Sequence, residues 1–249
     1  MNINEAWKST CSILLGGEVG ELEDYEKYLT NYVEPIYERK SLLSGKKVTV
    51  SLPSFSKSAK FISNEELEAY NKKISSFKLD LNQVKDIDSI LDSISEHFCY
   101  SGNQITGNSQ EIFDSDNVID SQVVFKSSQI WGAKFMAYCS MCRSSEFMFG
   151  VNWASTSKYL INCYETYQET RCMETLNVWS SSDIYYSVGM EGCSDCIFSF
   201  NRKNSTRLIG NAQFSKEKYS DYKGRLLSQI RDELKSKKSL PSIIDILGA

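Results

Sequence analysis

The sequence of 249 residues contains one histidine, His97, and three prolines. A single imidazole excludes every site that needs two, such as an H-E-x-x-H zinc protease, and it leaves one possible base for a serine or cysteine triad. The sequence also lacks the phosphate-binding G-x-x-x-x-G-K-[ST], dinucleotide-binding G-x-G-x-x-G and hydrolase G-x-S-x-G motifs. Nucleotide hydrolysis and dinucleotide-dependent hydride transfer therefore have no support.

Long apolar runs and a strong charge of either sign are also missing. Without a run of about 18 apolar residues, a transmembrane helix is excluded on length. Glu5 lies in the first apolar stretch and no small-residue cleavage pattern follows it, so we expect a cytoplasmic protein, or part of a particle assembled in the cytoplasm, whose eight cysteines are reduced. A net charge of −4 gives no general attraction to nucleic acid or anionic lipid.

Residues 1–98 are predicted to form a mixed α/β region. Apolar side chains at helical spacing predict helices at about 3–15, 20–33, 64–74 and 82–98. Ser63 and Glu66 form a capping-box pair that opens the third of these helices. After residue 214, Ser215 is the predicted N-cap of a further helix that reaches Lys237.

Two predicted strands in the N-terminal region form a small hairpin. Residues 46–52 and 59–62 have strand character, and Pro53 with a serine-rich turn would join them. His97 falls at the end of a predicted helix, which favours a structural position. A nucleophilic pair of His97 with Cys99 or Cys142 stays open as the alternative.

Of the 38 serines, 16 lie in a repeat that begins near residue 115. Eight segments align without gaps, starting at 115, 127, 144, 156, 169, 181, 193 and 205. All eight have a polar third position, apolar fourth and fifth positions and a small or turn-forming seventh, and the consensus is S-[ST]-x-Φ-Φ-x-small, where Φ is apolar. Successive starts are 12 or 13 residues apart except for one step of 17, which we interpret as an insertion around 139–143. A unit of about 12 residues holds a short strand and a turn, which buries no core alone, so the units must stack as a solenoid.

The size of one coil follows less directly from the repeat. Large aromatic side chains at repeat positions four to six favour about 24 residues per coil, with two repeats on opposite faces, because a 12-residue coil would have a very thin interior. Two cysteine pairs 24 residues apart would then stack directly, Cys139 on Cys163 and Cys172 on Cys196. The predicted interior ladders are Ile130, Tyr159, Ile184 and Leu208, and facing them Val118, Phe147, Cys172 and Cys196. The serines would lie at corners, where hydroxyls hydrogen-bond turn backbone.

This repeat, including C-S-D-C-I-F-S at 193–199, resembles short-coil β-helix or β-solenoid proteins over about residues 109–214. It is also similar to a loose group of serine- and cysteine-rich solenoids from microbial and phage genomes. The resemblance implies a fold, but it gives no information about activity. We expect a mainly β chain with a mixed α/β region at 1–98, a solenoid of about four coils at 99–214, and a capping helix with an apolar tail at 215–249. Helices from both ends would cover the open edges of the solenoid.

Two C-x-x-C pairs are the weak candidates for a metal site, which would hold zinc: Cys139 with Cys142, and Cys193 with Cys196. In the predicted solenoid the pairs lie about two coils apart, roughly 10 Å, whereas Zn–S bonds measure about 2.3 Å. We therefore expect buried thiols and no cofactor.

Charged residues at the third repeat position and three tryptophans make up the candidate binding face. The predicted two-repeat coils would place Glu146, Arg171 and Asp195 on one face and Lys158, Asp183 and Arg207 on the other. Such residues suit a carbohydrate-cleaving site or a solvated ladder of alternating charge, and we favour the ladder. The tryptophans Trp131, Trp153 and Trp179 either line a flat binding face or point inward, and both alternatives stay open.

These features favour a non-enzymatic scaffold that presents solenoid faces to a protein partner or to its own copies, as a subunit of a larger assembly. The alternative is a carbohydrate-directed enzyme or binding module. A third possibility is nucleic-acid association through residues 215–238, where eight basic and four acidic side chains give a net charge of +4. No catalytic residue is assigned.

Overall fold

The computed structural model of the protein describes residues 1–52, 55, 58–80, 82 and 84–248. It is mainly β, with a solenoid of about nine turns, helices near the N-terminus and a long C-terminal helix. The α-helices are α1 (Ile3–Leu15), α2 (Glu26–Leu29), α3 (Leu67–Ile74), α4 (Ile87–Ser95), α5 (Lys216–Lys237) and α6 (Ile243–Gly248). The segments Leu22–Tyr25 and Asn64–Glu66 are 3-10 helices.

Local signals place most of these helices where the sequence predicts them. The Asn2–Glu5 capping box opens α1, and Ser215 caps α5 by accepting the backbone N–H of Lys218. The capping box of Ser63 and Glu66 is also confirmed. The helix predicted at 20–33 is instead a 3-10 turn followed by the single turn of α2.

The N-terminal strands pair differently from the predicted hairpin. β1 (Tyr37–Lys40) pairs antiparallel with β2 (Lys47–Val50), while β3 (Phe61–Ser63) pairs parallel with β4 (Tyr100–Gly102). Three charged side chains in β1 hide its strand character, so its pairing with β2 was missed. The predicted turn through Pro53 lies outside the described residues.

The solenoid strands run in chain order from β5 to β20. They are β5 (Ile105–Thr106), β6 (Gln110–Phe113), β7 (Asp116–Ile119), β8 (Gln122–Phe125), β9 (Ser128–Trp131), β10 (Lys134–Ala137), β11 (Ser140–Arg143), β12 (Glu146–Phe149), β13 (Asn152–Ser155), β14 (Lys158–Tyr167), β15 (Thr170–Trp179), β16 (Ser182–Glu191), β17 (Ser194–Ile197), β18 (Phe200–Lys203), β19 (Thr206–Ile209) and β20 (Ala212–Gln213).

Each coil contributes one strand to each of two parallel sheets. The covered sheet contains β6, β8, β10, β12, the first halves of β14, β15 and β16, and then β17 and β19. The open sheet contains β5, β7, β9, β11, β13, the second halves of β14, β15 and β16, and β18. The final strand, β20, pairs antiparallel with β19.

One coil of the solenoid corresponds to a single repeat, so the predicted coil of two repeats and the predicted total of about four coils are wrong. Lys134 pairs with Glu146 in one sheet and Ser140 with Asn152 in the other, one repeat apart in each case. The same register step continues through 139–143, where no insertion occurs. Each coil has two similar halves that begin with a small inward residue. The sequence alignment passed from one half to the other between its second and third segments, and the segments that start at 144 and 156 begin one residue before their corner residues Ser145 and Ser157, which explains the steps of 17 and 13.

A backbone with a period of three residues makes the short coil possible. In the coil 145–156, Phe147, Gly150, Trp153 and Thr156 all have positive φ, between 53° and 68°. This left-handed conformation is unfavourable for residues other than glycine by about 1–2 kcal/mol each. Because this conformation recurs at every third residue, one side chain in three points into the interior. The interior side chains are small or medium in size, such as Met148, Cys163 and Val178.

The aromatic residues that suggested a larger coil point outward. Phe147 stacks between Phe135 and Tyr159 at centroid distances of 4.7 Å on the surface of the solenoid. Tyr159 and Phe147 are therefore not part of the interior ladders predicted from the sequence. Cys139 and Cys163 do share an interior column, but Val151 lies between them, and Ile184 separates Cys172 from Cys196 in the same way.

The serine hydroxyls at the corners join successive coils. The Ser127 hydroxyl donates to the Phe125 carbonyl at 2.8 Å and accepts the backbone N–H of Cys139, in the next coil, at 3.0 Å. The same pair of bonds recurs at Ser115, Ser121, Ser145, Ser157, Ser181, Ser187 and Ser199. The predicted role of serine at the corners is confirmed, and the hydroxyls satisfy buried backbone groups that the turns would leave unpaired.

α1 and α5 cover one sheet, while α6 contacts β15 and β16 and the outward side chains Trp153, Tyr167 and Trp179 of the other sheet stay exposed. α1 lies across the covered sheet, where Trp7 meets Phe149 at a centroid distance of 5.2 Å and the Tyr185 hydroxyl donates to the Leu14 carbonyl. α5 begins beside β19 and runs back along the same sheet. Beside the first coil the structure has the chain of β2 and β4 instead of the predicted helices: Ser51, next to β2, donates from its N–H and its hydroxyl to Asp116 of β7 at 2.9 and 2.8 Å, and β4 leads into β5.

Replacement of Ser127 by alanine tests the corner hydrogen bonds. Ser127→Ala leaves the buried Cys139 N–H without its acceptor, while the Phe125 carbonyl keeps the N–H of Tyr138. We expect a loss of about 1–3 kcal/mol in the free energy of unfolding, measured by denaturant titration. The control is Ser155→Ala, whose hydroxyl meets only the Thr156 side chain and whose cost should stay within about 0.5 kcal/mol. Equal costs for the two variants would contradict the assigned role.

Candidate binding surface

The charged residues at the third repeat position lie together in the covered sheet. Glu146 and Lys158 form an ion pair at 2.8 Å, and Arg171 pairs with Asp183 at 2.6 Å. The predicted separation onto two opposite faces is therefore wrong, because a coil of one repeat places consecutive repeats side by side on one face. Opposite charges on adjacent strands are a favourable cross-strand arrangement.

Lys223 of α5 connects part of this ladder to the helix that covers it. Its ammonium lies 2.9 Å from Asp195 and 3.5 Å from Asp183. Burial acts to raise the pKa of Asp183, but the hydrogen bond from Arg171 and the charge of Lys223 outweigh it, and the pKa is lowered. Arg207 lies on β19, which also contacts α5. Asp183, which Arg171 also holds, and Asp195 thus help to keep α5 on the covered sheet.

The cysteines of the two C-x-x-C pairs face the solenoid interior. Cys139, Cys142, Cys193 and Cys196 are buried among apolar side chains. The pairs lie about four coils apart, roughly 20 Å, which is farther than the sequence suggested. The pKa of Cys142 is raised well above its ordinary value, mainly by a hydrogen bond with Cys139 and to a smaller extent by burial. Within the residues that the structure describes, no group of three or more His, Cys, Asp or Glu side chains could hold a metal ion.

His97 lies beyond the end of α4, where its ring is 3.9 Å from the ring of Phe77. Its carbonyl accepts the hydroxyl of Tyr70 at 2.8 Å. A hydrogen bond with Cys99 raises the pKa of Tyr70 to about 12, so the Cys99 thiol contacts a phenol. Cys142 is inside the solenoid, in a different part of the fold.

The three tryptophans lie on the open sheet and point away from the interior. Trp153 is 58% exposed and Trp179 is 52% exposed, while Trp131 is partly covered. The guanidinium of Arg143 lies over the Trp131 ring at 4.1 Å, which is a cation–π contact and explains that cover. The alternative in which these side chains point inward is therefore wrong.

The register of the open sheet brings two further side chains to the tryptophans. Trp131, Arg143, Ser155, Tyr167 and Trp179 are directly paired on five successive coils. Tyr167 is 42% exposed, and its ring centroid lies 6.3 Å from that of Trp179. We call Trp131, Arg143, Trp153, Tyr167 and Trp179 the aromatic track. Sequence reasoning missed Arg143 and Tyr167, although they lie one coil after Trp131 and one coil before Trp179, a spacing that identifies them once the coil length is known.

The surroundings of the aromatic track are polar and carry no net charge. The indole N–H of Trp179 donates to the Asn177 side chain at 2.9 Å. Among the charged side chains of the open sheet from β9 to β18, Arg143, Arg202 and Lys203 are opposed by Glu165 and Glu191, and Lys203 pairs with Glu191 at 2.5 Å. Arg202 is at an inward position, as the register partner of buried Met190, and donates to the Asn211 carbonyl. The outward charged side chains from Arg143 to Lys203 therefore balance.

A buried acid beside the open sheet fastens the C-terminal segment. The Glu174 carboxylate accepts the Tyr28 hydroxyl at 2.6 Å, the Asn162 amide at 3.0 Å and the backbone N–H of Ile243 at 2.8 Å. Burial raises the pKa of Glu174 to about 7, and these hydrogen bonds act in the opposite direction. A second acid, Glu169, is buried in the solenoid interior, and its pKa is raised well above the ordinary value by burial.

The raised pKa of Glu174 predicts a pH dependence of stability. Between its ordinary value of 4.5 and about 7, the folded protein keeps a proton that the unfolded chain has released. This contribution to stability is complete below pH 4.5 and is lost as the pH rises to about 7, by about 3 kcal/mol. Glu174→Gln should remove that part of the decline when the free energy of unfolding is compared at pH 5 and pH 8. The exposed Glu165→Gln should keep the wild-type decline, and a Glu174→Gln profile parallel to wild type would refute the assignment.

Comparison with known proteins adds little to this geometry. No protein-family model matches the chain, and no curated protein matches it. A solved structure from Bacillus cereus, described as a "putative acetyltransferase", aligns with 55% of this chain and 92% of its own at 16% identity and a TM-score of 0.15. At that TM-score the match carries no argument, and the solenoid fold stands on the strand register itself. Among the helices in the described ranges, none is both long and apolar enough to span a membrane.

Proposed function

We propose that the protein is a binding scaffold whose open sheet presents the aromatic track to another macromolecule. The observation that carries this proposal is the exposure of Trp153, Tyr167 and Trp179 on one sheet face. Large aromatic rings are otherwise buried by preference, and Trp, Tyr and Arg are the residues most enriched where binding energy concentrates. The aromatic track contains these three residue types.

The solenoid holds the aromatic track in a fixed geometry. Its side chains extend from strands that are hydrogen-bonded to neighbouring strands on both sides. The core beneath the opposite sheet, with Trp7, Phe149 and Tyr185, supports the coils from behind. A surface that is ordered before binding loses little conformational entropy when a partner docks, which favours affinity.

Stacking of copies end to end does not form part of the proposal, because the last coil is blocked. The Asn211 side chain bonds both the N–H and the carbonyl of Phe200 on the edge strand β18. Arg202, the register partner of buried Met190, places a charge where earlier coils have an apolar interior residue. Inward charges and covered edges are devices that prevent strand addition.

The basic segment 215–238 gives little support to the alternative of nucleic-acid association. Lys223 pairs with the covered sheet, Arg231 donates to the carbonyls of Leu15 and Gly16, and Lys238 pairs with Asp24. These cations serve the packing of α5 against the body, which weakens the case for a nucleic-acid surface.

Site-specific photocrosslinking in the cells that produce the protein tests the proposal. A photoreactive phenylalanine analogue placed at Trp153 or Trp179 should form crosslinked adducts of higher mass. The matched control is the same substitution at Phe113, which is 59% exposed on β6 of the other sheet. Adducts from the open-sheet positions with none from Phe113 would support the scaffold. Equal yields at all three positions, or none, would reject it.

A further inference from the structure

We infer that the partner of the aromatic track is a linear, uncharged polysaccharide. This inference rests on the proposed function and specifies the class of its ligand. Three properties of the open sheet carry it: the line in which the rings lie, the balance of charge around them, and the polar side chains between them.

The aromatic track follows the long axis of the solenoid. From Trp131 to Trp179 there are four register steps, each from one coil to the next. At about 4.8 Å per step this column is about 19 Å long. Trp153 extends from the same sheet two residues from the column, between Arg143 and Tyr167 in chain order. Rings placed in a line on a flat, rigid face fit an extended chain better than a compact ligand.

The charge around the aromatic track selects against polyanions. Arg143 and Lys203 are opposed by Glu165 and Glu191, so this part of the face has no net charge to attract phosphates, sulfates or uronic acids. Nucleic-acid binding depends on the neutralisation of phosphates by several basic side chains, and its affinity falls steeply without them. A face of balanced charge is complementary to an uncharged polymer.

The polar residues between the rings favour sugars over a protein surface. The core of a protein–protein interface is depleted in Glu, Asp and Lys, whereas Glu165 lies among these aromatic side chains together with the amide of Asn177. A sugar ring presents C–H groups on its faces, which stack on an indole or phenol ring, and hydroxyls at its edge. Alternating aromatic and hydrogen-bonding side chains match both parts of such a ligand.

Affinity electrophoresis of the full-length protein tests the inference. Native gels would contain one of four neutral polysaccharides (laminarin, mixed-linkage β-glucan, galactomannan or arabinoxylan) or one of two charged ones (alginate or heparin). We expect at least one neutral polysaccharide to retard the wild-type protein and the charged ones to leave its mobility unchanged. Trp153→Ala and Trp179→Ala should each raise the dissociation constant at least tenfold, while Phe113→Ala should bind like wild type. Unchanged thermal unfolding of the exposed variants would establish that they fold.

The two experiments distinguish the failure of this inference from the failure of the proposed scaffold function. Retardation by a neutral polysaccharide that persists in Trp153→Ala and Trp179→Ala would overturn the role of the aromatic track, and retardation by heparin or alginate alone would overturn the neutral ligand. The photocrosslinked adducts give an independent readout. Their removal by glycosidases supports a polysaccharide. Adducts that resist glycosidases and that contain peptides of a second protein by mass spectrometry, with no retardation by any neutral polysaccharide, would identify a protein partner, so that the inference fails while the scaffold stands.

Discussion

The structure depends on one hydrogen-bonding arrangement, in which a small inward side chain at each corner joins its own coil to the next. Ser127 illustrates it, with a hydroxyl that donates to the carbonyl of Phe125 and accepts the amide of Cys139 in the following coil. The Cys139 thiol makes the equivalent contact to the Ala137 carbonyl. Each coil contains several left-handed residues other than glycine, and their conformational cost is offset by such bonds together with the strand ladders. Because the bonds require close approach of the corners, they also fix the coil as short and its interior as thin.

A thin interior determines where large side chains can go. Phe149 and Tyr185 extend from the covered sheet, and α1 buries both of them. Trp153 and Trp179 extend from the open sheet, where no described helix covers them. The same constraint therefore produces a second hydrophobic core on one side and an exposed aromatic surface on the other. The helices are consequently as important to the proposed function as the solenoid, since they distinguish two faces that the repeat alone would make alike.

The repeat predicts the solenoid and the corner serines because both depend on local spacing. The coil length is not predictable in the same way, since each coil consists of two halves with the same pattern of small inward residues. Ser127 begins the second half of its coil, whereas Ser145 begins the first half of a later one, yet the two segments align well. This ambiguity also concealed the column that connects Trp131 to Tyr167. The pairing of β1 with β2 was missed for a different reason, because charged side chains on a solvent-facing strand give no apolar alternation.

Glu169 shows how strictly volume is controlled inside the coils. It occupies the corner position at which Ser157 and Ser181 lie in the adjacent coils, and it is fully buried. The next interior residue in its coil is Cys172, the register partner of the larger Leu160 and Ile184. A larger corner side chain is thus accompanied by a smaller neighbour, as expected for an interior packed at crystal-like density. Inward positions can change only in such compensated pairs, whereas outward positions on the open sheet are free of this constraint. Specificity for a ligand can therefore evolve on the open sheet without disturbing the coil beneath it.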